Sequence, residues 1–319
     1  MQAPSYHDIL AAREFISAYL PKTPLVRSHK LSEALGCDYY LKLENLQPTS
    51  AFKVRGGVNL VGHAAREGRN DTIVTASTGN HGQSIAYAGR LFNTRVIVYA
   101  PAENVNQAKL QAMRELGAEV RLHGRDFDEA RLETERVANA EGFRYVHSAD
   151  EPFLISGVGT IGLEIFEDLP DVDVIIAPAG GGSCASGNCI VARERNPNVK
   201  VIAVQSEAAP AMWHAWRNRN LDPYPTMKTE HEGLATRVPF ELPSKILWQL
   251  LCDFVLVSDE QINDAVRILA RDAKQLVEGA GAASLAAAFK LRDQLSGKKV
   301  VSIVSGGNLP LTRFAQLLA

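Results

Sequence analysis

Leu41-Lys42-Leu43-Glu44-Asn45-Leu46-Gln47-Pro48-Thr49-Ser50-Ala51-Phe52-Lys53-Val54-Arg55-Gly56-Gly57 is the stretch on which the reading of this chain turns. An apolar, β-type run from Tyr39 to Leu43 ends in the turn signal Gln-Pro-Thr-Ser. Lys53 then stands just inside an expected helix start, with Thr49 or Ser50 placed to cap it. A lysine at such a position is aimed at one spot rather than left to sweep a helix surface. Neutral lysine amines form imines with carbonyl compounds, and the commonest carbonyl cofactor is pyridoxal phosphate. An isolated Phe-Lys is also what an ordinary solvated charge looks like, so the weight must come from elsewhere in the chain.

Three further stretches supply it. Ser77-Thr78-Gly79-Asn80-His81-Gly82-Gln83 follows a strand-like run, Thr72 to Ala76. Pro178-Ala179-Gly180-Gly181-Gly182-Ser183-Cys184-Ala185-Ser186-Gly187 follows another, Val172 to Ala177. Ser305-Gly306-Gly307-Asn308 lies near the C-terminus. With the lysine stretch, and in this order from about Thr23 to Asn308, they make the chain resemble the serine/threonine dehydratase and serine racemase family. That family belongs to the tryptophan-synthase-like, fold type II, pyridoxal phosphate enzymes.

Composition allows this and excludes other classes. The 319 residues suffice for one large domain or two moderate ones with full cores. The 46% hydrophobic and 22% charged content is that of an ordinary globular protein. A formal net charge of −2 offers no footprint for nucleic acid or an anionic membrane. His7, Asp8, Arg13 and Glu14 interrupt the first run that could serve as a signal peptide. The uncharged stretch from Val174 to Ala192 carries proline and glycines that exclude a membrane helix. Cys37, Cys184, Cys189 and Cys252 form neither a CxxC pair nor a disulfide framework, so reduced thiols and a cytoplasmic setting are expected.

Residues 7–20 have helical spacing of apolar positions, stopped by Pro21 and Pro24. After the lysine stretch, β-branched runs at Thr72–Ala76, Arg95–Ala100, Glu119–Leu122, Asp173–Ala177, Val199–Gln205, Phe254–Val257 and Lys299–Val304 alternate with helical patterns such as Asn106–Leu116 and Asp126–Ala140. The capping box Ser258-Asp259-Glu260-Gln261 predicts a helix running toward Val277. Such alternation predicts an α/β protein with parallel sheets and crossover helices. Residues 206–245 read as an irregular excursion, and no internal repeat is visible. The resemblance implies two open-sandwich domains with the cofactor in the cleft: a large one from 1–63 and 151–319, and a small one, 64–150, inserted into it. It also implies a homodimer or homotetramer.

The resemblance assigns roles residue by residue. Lys53 holds pyridoxal phosphate as an imine and later takes the substrate α-proton, which requires an amine with a depressed pKa. Phe52 flanks the cofactor. Gly180, Gly181, Gly182, Ser183 and Cys184 form a cradle of backbone N–H groups for the phosphate at a helix N-terminus. Asn80 contacts the phenolic oxygen of the ring, and Ser77, Thr78, Gly79, Asn80 and His81 surround the substrate carboxylate. Ser305 meets the ring nitrogen. A hydroxyl cannot hold that nitrogen protonated as an aspartate does, so the ring is a weaker electron sink, which favours prompt β-elimination over transamination. Glu278, before Gly279-Ala280-Gly281, matches a family glutamate near the site. The implied activity is dehydration and deamination of a β-hydroxy amino acid such as L-threonine, L-serine, phenylserine or 3-hydroxyaspartate, giving a 2-oxo acid and ammonia.

The chain departs from the family at several points. The usual Thr-Gly-Ser-Phe-Lys reads Thr49-Ser50-Ala51-Phe52-Lys53. Thr78 stands where racemases carry the serine that acts as second base, so amino-acid racemisation is an alternative resting on a stiffer hydroxyl. His147-Ser148-Ala149-Asp150 replaces His-Pro-Asn, which predicts a roomier pocket. Glu207 and Ala211 match two ligands of the family's cation site, but Trp213 stands where an aspartate is expected, so no metal is expected. Glu232-Gly233-Leu234-Ala235-Thr236-Arg237 replaces the more usual Ala-Asp-Gly. The glycine stretch also fits G-x-G-x-x-A with Glu207 ending the next strand, a dinucleotide fingerprint that keeps an NAD-dependent oxidoreductase as a more distant alternative. That alternative leaves Lys53 and the Ser77–His81 stretch unexplained.

Overall fold

Strands buried on both faces set the architecture. The computed structural model describes residues 1–69, 71–103 and 106–318. Along the described chain run β1 (Leu25–Arg27), β2 (Asp38–Leu43), β3 (Ile73–Ala76), β4 (Val96–Ala100), β5 (Glu119–Leu122), β6 (Arg144–Tyr145), β7 (Val174–Pro178), β8 (Lys200–Ser206), β9 (Asp253–Val257) and β10 (Lys299–Val304). They form two sheets, a six-stranded one ordered β1-β2-β10-β7-β8-β9 and a four-stranded one ordered β5-β4-β3-β6. All pairings are parallel except β1 with β2. The fold is thus the doubly covered parallel α/β type that the alternation predicts.

On the large sheet Val174, Ile176, Ile202 and Val204 face one apolar layer, closed by the helices Asp259–Ile268 and Gly279–Lys290. Their neighbours Ile175, Ala177, Val201 and Ala203 face the opposite layer, closed by Pro152–Asp168, Ser183–Arg195 and Glu241–Leu250. A strand buried on both faces reads as an unbroken apolar run, which is how β7 and β8 appear in the sequence. The four-stranded sheet divides the same way, with Val96 and Val98 on one face and Ile97 and Tyr99 on the other. β6, two residues long, carries too little apolar pattern to be read from sequence.

Two local expectations fail. The Ser258 capping box forms, but its helix gives way at Leu269–Ala273 to a wider π turn and stops at Lys274 with φ +56°, short of Val277. Neither Thr49 nor Ser50 caps the lysine helix, which spans Lys53–Arg66 and begins after Phe52 without a side-chain cap. Ser50 is left-handed at φ +52°, and its carbonyl accepts the Gly307 N–H at 2.8 Å. The Phe52 N–H reaches the Ser305 carbonyl at 3.0 Å, and Ala51 bridges Gly306. The turn is therefore tied to the loop after β10 rather than closed on itself.

The lysine helix is anchored by buried charge. Arg55, fully buried, donates from Nε to Glu44 (2.7 Å) and from its two terminal nitrogens to Glu164 (2.7 and 2.8 Å). Lys42 Nζ, also fully buried, reaches Glu164 at 2.6 Å and the Thr23 carbonyl at 2.7 Å. These two buried cations, with the partly exposed Arg13 3.1 Å from Glu164, thus meet two carboxylates with their hydrogen-bonding capacity met, the condition under which buried charge is tolerated. Burial alone would raise the Glu164 carboxyl, but Arg55 and Lys42 hold it at about 2. Removing one partner strands the others, so Arg55→Met is expected to lower unfolding free energy by about 3–5 kcal/mol in a urea titration. A loss under about 1 kcal/mol would show that the network does not brace the helix.

Candidate active site

Three adjacent parallel strands deliver three of the motifs to one edge. β2 ends at Leu43 and leads to Lys53, β10 ends at Val304 and leads to Ser305, and β7 ends at Pro178 and leads to the glycine loop. Leu43 and Val304 are in register, so the first two loops leave the sheet side by side. The fourth motif follows β3, at the corresponding edge of the small sheet. The carboxyl ends of parallel strands are where ligands bind in such sheets.

Lys53 Nζ lies 3.3 Å from the Ser148 carbonyl oxygen and 5.6 Å from the Phe52 ring centre. A small cavity brings it together with Gly56, His81, Ser148, Leu154 and Ser183. Burial brings the ammonium down to about 8, so a useful fraction is neutral near physiological pH. The Lys53 carbonyl accepts the Ser84 hydroxyl at 2.6 Å. A Cβ on Gly57 would sit 2.2 Å from that oxygen, so only glycine lets the helices Lys53–Arg66 and Asn80–Leu91 approach this closely.

The glycine loop is a cradle that side chains would fill. A Cβ on Gly180 would lie 2.1 Å from the Gly233 carbonyl, and one on Gly181 would meet Phe240 at 2.9 Å and Ala149 at 3.0 Å. Ser183 and Cys184, both buried, open the helix Ser183–Arg195, whose start at Gly182 has no side-chain cap. Its first N–H groups are therefore available to an anion, with the helix dipole behind them. Burial pushes the Cys184 thiol up, so it stays protonated beside Lys53.

Ser77 organises the second loop. Its hydroxyl accepts the N–H groups of Gly79 (3.1 Å) and Gly82 (2.9 Å), and its own N–H goes to the Tyr99 carbonyl. This leaves Thr78, half-buried, with Asn80 and His81 at the start of the helix Asn80–Leu91. The buried His81 donates from Nε2 to the Thr75 hydroxyl at 2.9 Å, because that hydroxyl spends its proton on the Val146 carbonyl. Burial, with the charge of Lys53, holds the imidazole well below its usual range, so it is neutral. Asn80 donates to Glu278 (2.5 Å) and accepts from Asn308 (2.8 Å). Burial raises the Glu278 carboxyl. Ser305, buried, donates to the Ala280 carbonyl at 3.1 Å.

Sequence reading misses several neighbours. Ser148 contributes a backbone carbonyl, which any residue could supply. Phe240, from the irregular excursion, packs edge-on against His147 at 5.1 Å and against the glycine loop. Ala149 lies against the same face of Gly181 as Phe240. Lys109, whose side chain lies beside Gly79, comes from an amphipathic helix with no motif of its own. Trp213 donates its indole N–H to the Phe254 carbonyl at 3.0 Å, while Glu207 is exposed. Among the described residues no group of three or more His, Cys, Asp or Glu side chains is placed to hold a metal.

A family profile described as "Pyridoxal-phosphate dependent enzyme" matches residues 16–306. The chain belongs to that family. It is 38% identical to the L-threonine ammonia-lyase of Thermotoga maritima over 311 residues, which cover 98% of this chain and 77% of that one. It is 37% identical to the catabolic L-threonine dehydratase of Staphylococcus aureus over 318 residues, covering 98% and 92%. The structure of maize serine racemase superposes with a TM-score of 0.93 at 28% identity, covering 99% of this chain and 97% of that one. The cofactor is therefore pyridoxal phosphate rather than a nicotinamide. The residues present suit it: a partly neutral lysine, a cradle that any Cβ would obstruct and an uncapped helix start.

Two outcomes follow. An aldehyde cofactor would require Lys53 as the neutral amine, so uptake of pyridoxal phosphate by apoprotein should rise about tenfold per pH unit below pH 8 and level off above it, read as the growth of visible absorbance. A flat profile between pH 6 and 8 would contradict a depressed lysine. Gly180→Val should lose the cofactor on dialysis while keeping its far-ultraviolet circular dichroism, because the branched side chain meets backbone that cannot yield.

Proposed function

We propose that this enzyme dehydrates and deaminates a β-hydroxy amino acid, L-threonine or L-serine in the first instance, to a 2-oxo acid and ammonia. The observation that carries the reading is the placing of Lys53, as a partly neutral amine, between the glycine loop and the Ser77–His81 loop. The two relatives named for L-threonine support the substrate class.

When bound, pyridoxal phosphate supplies the aldehyde that exchanges between lysine and substrate amine, and a ring that accepts electron density from the substrate α-carbon. Gly180 to Cys184 would hold its phosphate, Phe52 its face, Asn80 its phenolic oxygen and Ser305 its ring nitrogen. Lys53 Nζ takes the α-proton. N–H groups at the start of the helix Asn80–Leu91 hold the substrate carboxylate, which fixes the Cα–H bond toward that amine. The buried surroundings exclude water until the β-hydroxyl has left as water. Overall, one water is lost on elimination and one regained on hydrolysis, leaving oxo acid and ammonium. The neutral Ser305 leaves the ring a modest sink, which suits departure of the β-hydroxyl over longer-lived chemistry.

We assign residues 64–150 to a small domain inserted into a large one made of 1–63 and 151–319. The strands of the small sheet all fall within the inserted stretch, which supports the division. A homodimer or homotetramer in the cytoplasm completes the proposal; no described helix is long and apolar enough to cross a membrane.

A second reading, racemisation, draws on the likeness to maize serine racemase and on the Thr78 hydroxyl in the substrate loop. One panel separates the two. Ammonia, oxo acid and enantiomer composition are followed with L-serine, D-serine, L-threonine, threo-3-phenylserine and 3-hydroxyaspartate, using wild type, Lys53→Ala and Thr78→Ala. Oxo acid from wild type, at least about 10³-fold less from Lys53→Ala, and little change in Thr78→Ala are expected. Inversion without oxo acid, lost in Thr78→Ala, would replace the dehydratase with a racemase.

A further inference from the structure

Neither the Glu232–Arg237 stretch nor Lys109 has a part in the chemistry described so far, yet the structure brings them together at the mouth of the site. Lys109 lies on the helix Gln107–Glu115, under the small sheet's side of the cleft, with its side chain 11% exposed. Its ammonium sits 3.8 Å from where a Cβ on Gly79 would be, in the loop that carries the N–H groups of Thr78, Asn80 and His81. Glu232, from the short 3-10 turn Glu232–Leu234 on the other side of the cleft, meets that ammonium at 2.6 Å and is itself half exposed. The lysine therefore already holds a carboxylate, one whose side chain is half open to solvent. The same turn approaches the glycine loop: the Thr236 hydroxyl donates to the Gly180 carbonyl at 2.8 Å, and Gly233 lies against Gly180.

We infer that Lys109 is the counter-charge for the substrate carboxylate at the Ser77–His81 loop, with Glu232 as the exchangeable partner that occupies it between turnovers. Backbone N–H groups orient a carboxylate but bring only partial charges. A full positive charge behind them, mostly shielded from solvent, adds attraction that a surface lysine would not. A second carboxylate, Glu278, accepts from Asn80 and lies within reach of the Lys109 charge; burial raises its carboxyl, which weakens its competition for the ammonium. Glu232 is thus the competitor that substrate must displace. Lys109 acts across the loop as a positioning residue, and the inference rests on reading that loop as the carboxylate site.

The test uses holoenzyme and two amines that cannot eliminate. L-alanine has the α-carboxylate, and ethylamine lacks it. Each is titrated while the cofactor's visible band is followed. Lys109→Met, which keeps the stem that packs beside Gly79, should loosen alanine about tenfold, the effect of one partly screened charge, and leave ethylamine unchanged. Lys109→Arg should restore alanine binding, and Glu232→Gln should tighten it a few-fold by freeing the ammonium. Unchanged alanine binding in Lys109→Met, or equal loosening of alanine and ethylamine, overturns the assignment, the second result marking Lys109 as structural. Oxo acid release by wild type is measured on the same preparations. Its absence would count against the dehydratase alone, since the amine titration is read without turnover.

Discussion

A guanidinium buried between two carboxylates holds this active site in place. Arg55 is two residues beyond Lys53 on the same helix, and its partners Glu44 and Glu164 come from the end of β2 and from the helix Pro152–Asp168. Because a stranded buried charge costs several kcal/mol, the arrangement is satisfied by one geometry and tolerates little drift. Lys42, one strand position from the turn, and Thr23, ahead of β1, complete it. Lys53, to which we assign the chemistry, is thus set by a buried network two residues along its own helix. Stability of the network and position of the amine are one property of the fold.

The same economy governs the surrounding loops. Hydrogen bonds between the Ser50–Phe52 turn and the Ser305–Gly307 loop replace the local cap that the sequence offers, so the two loops define each other. A capped helix would start identically wherever it lay; this one starts correctly only when β10 is in place beside β2. The Glu278–Asn80–Asn308 chain then ties the small sheet's loop to the large one by side chains alone. These bonds hold the loops of the two sheets together beside Lys53, which accords with a reaction that must exclude water while a leaving group departs.

Electrostatics at the centre follow from burial more than from paired charges. Lys53 is depressed chiefly because it is shielded from water, His81 is neutral for the same reason, and Cys184 remains a thiol. An amine near pH 8 can be both a nucleophile toward an aldehyde and a proton acceptor from carbon, while its neutral neighbours do not compete for the proton. Phe240 and Ala149 both pack against Gly181, and Trp213 donates its indole N–H to the Phe254 carbonyl.

Strand positions, the parallel α/β class and the four motifs were legible from the chain because each is local: apolar runs, a turn signal, glycines after a strand. β7, β8 and β10 fall within a residue of where their β-branched runs predict. The sequence by itself therefore determined the fold class and, through the family that its four motifs resemble, the cofactor. What it did not determine is everything that depends on distant partners: the failed cap at Ser50, the pairing of Arg55 with Glu164 across 109 positions, the Ser148 carbonyl beside Lys53, and the meeting of Lys109 with Glu232 across 123. A backbone carbonyl has no sequence signature, and a charge has the same letter whether it is solvated or buried against its opposite. Only the tertiary structure decides which of those states holds, because the dielectric surroundings and the partner are both supplied by the rest of the chain.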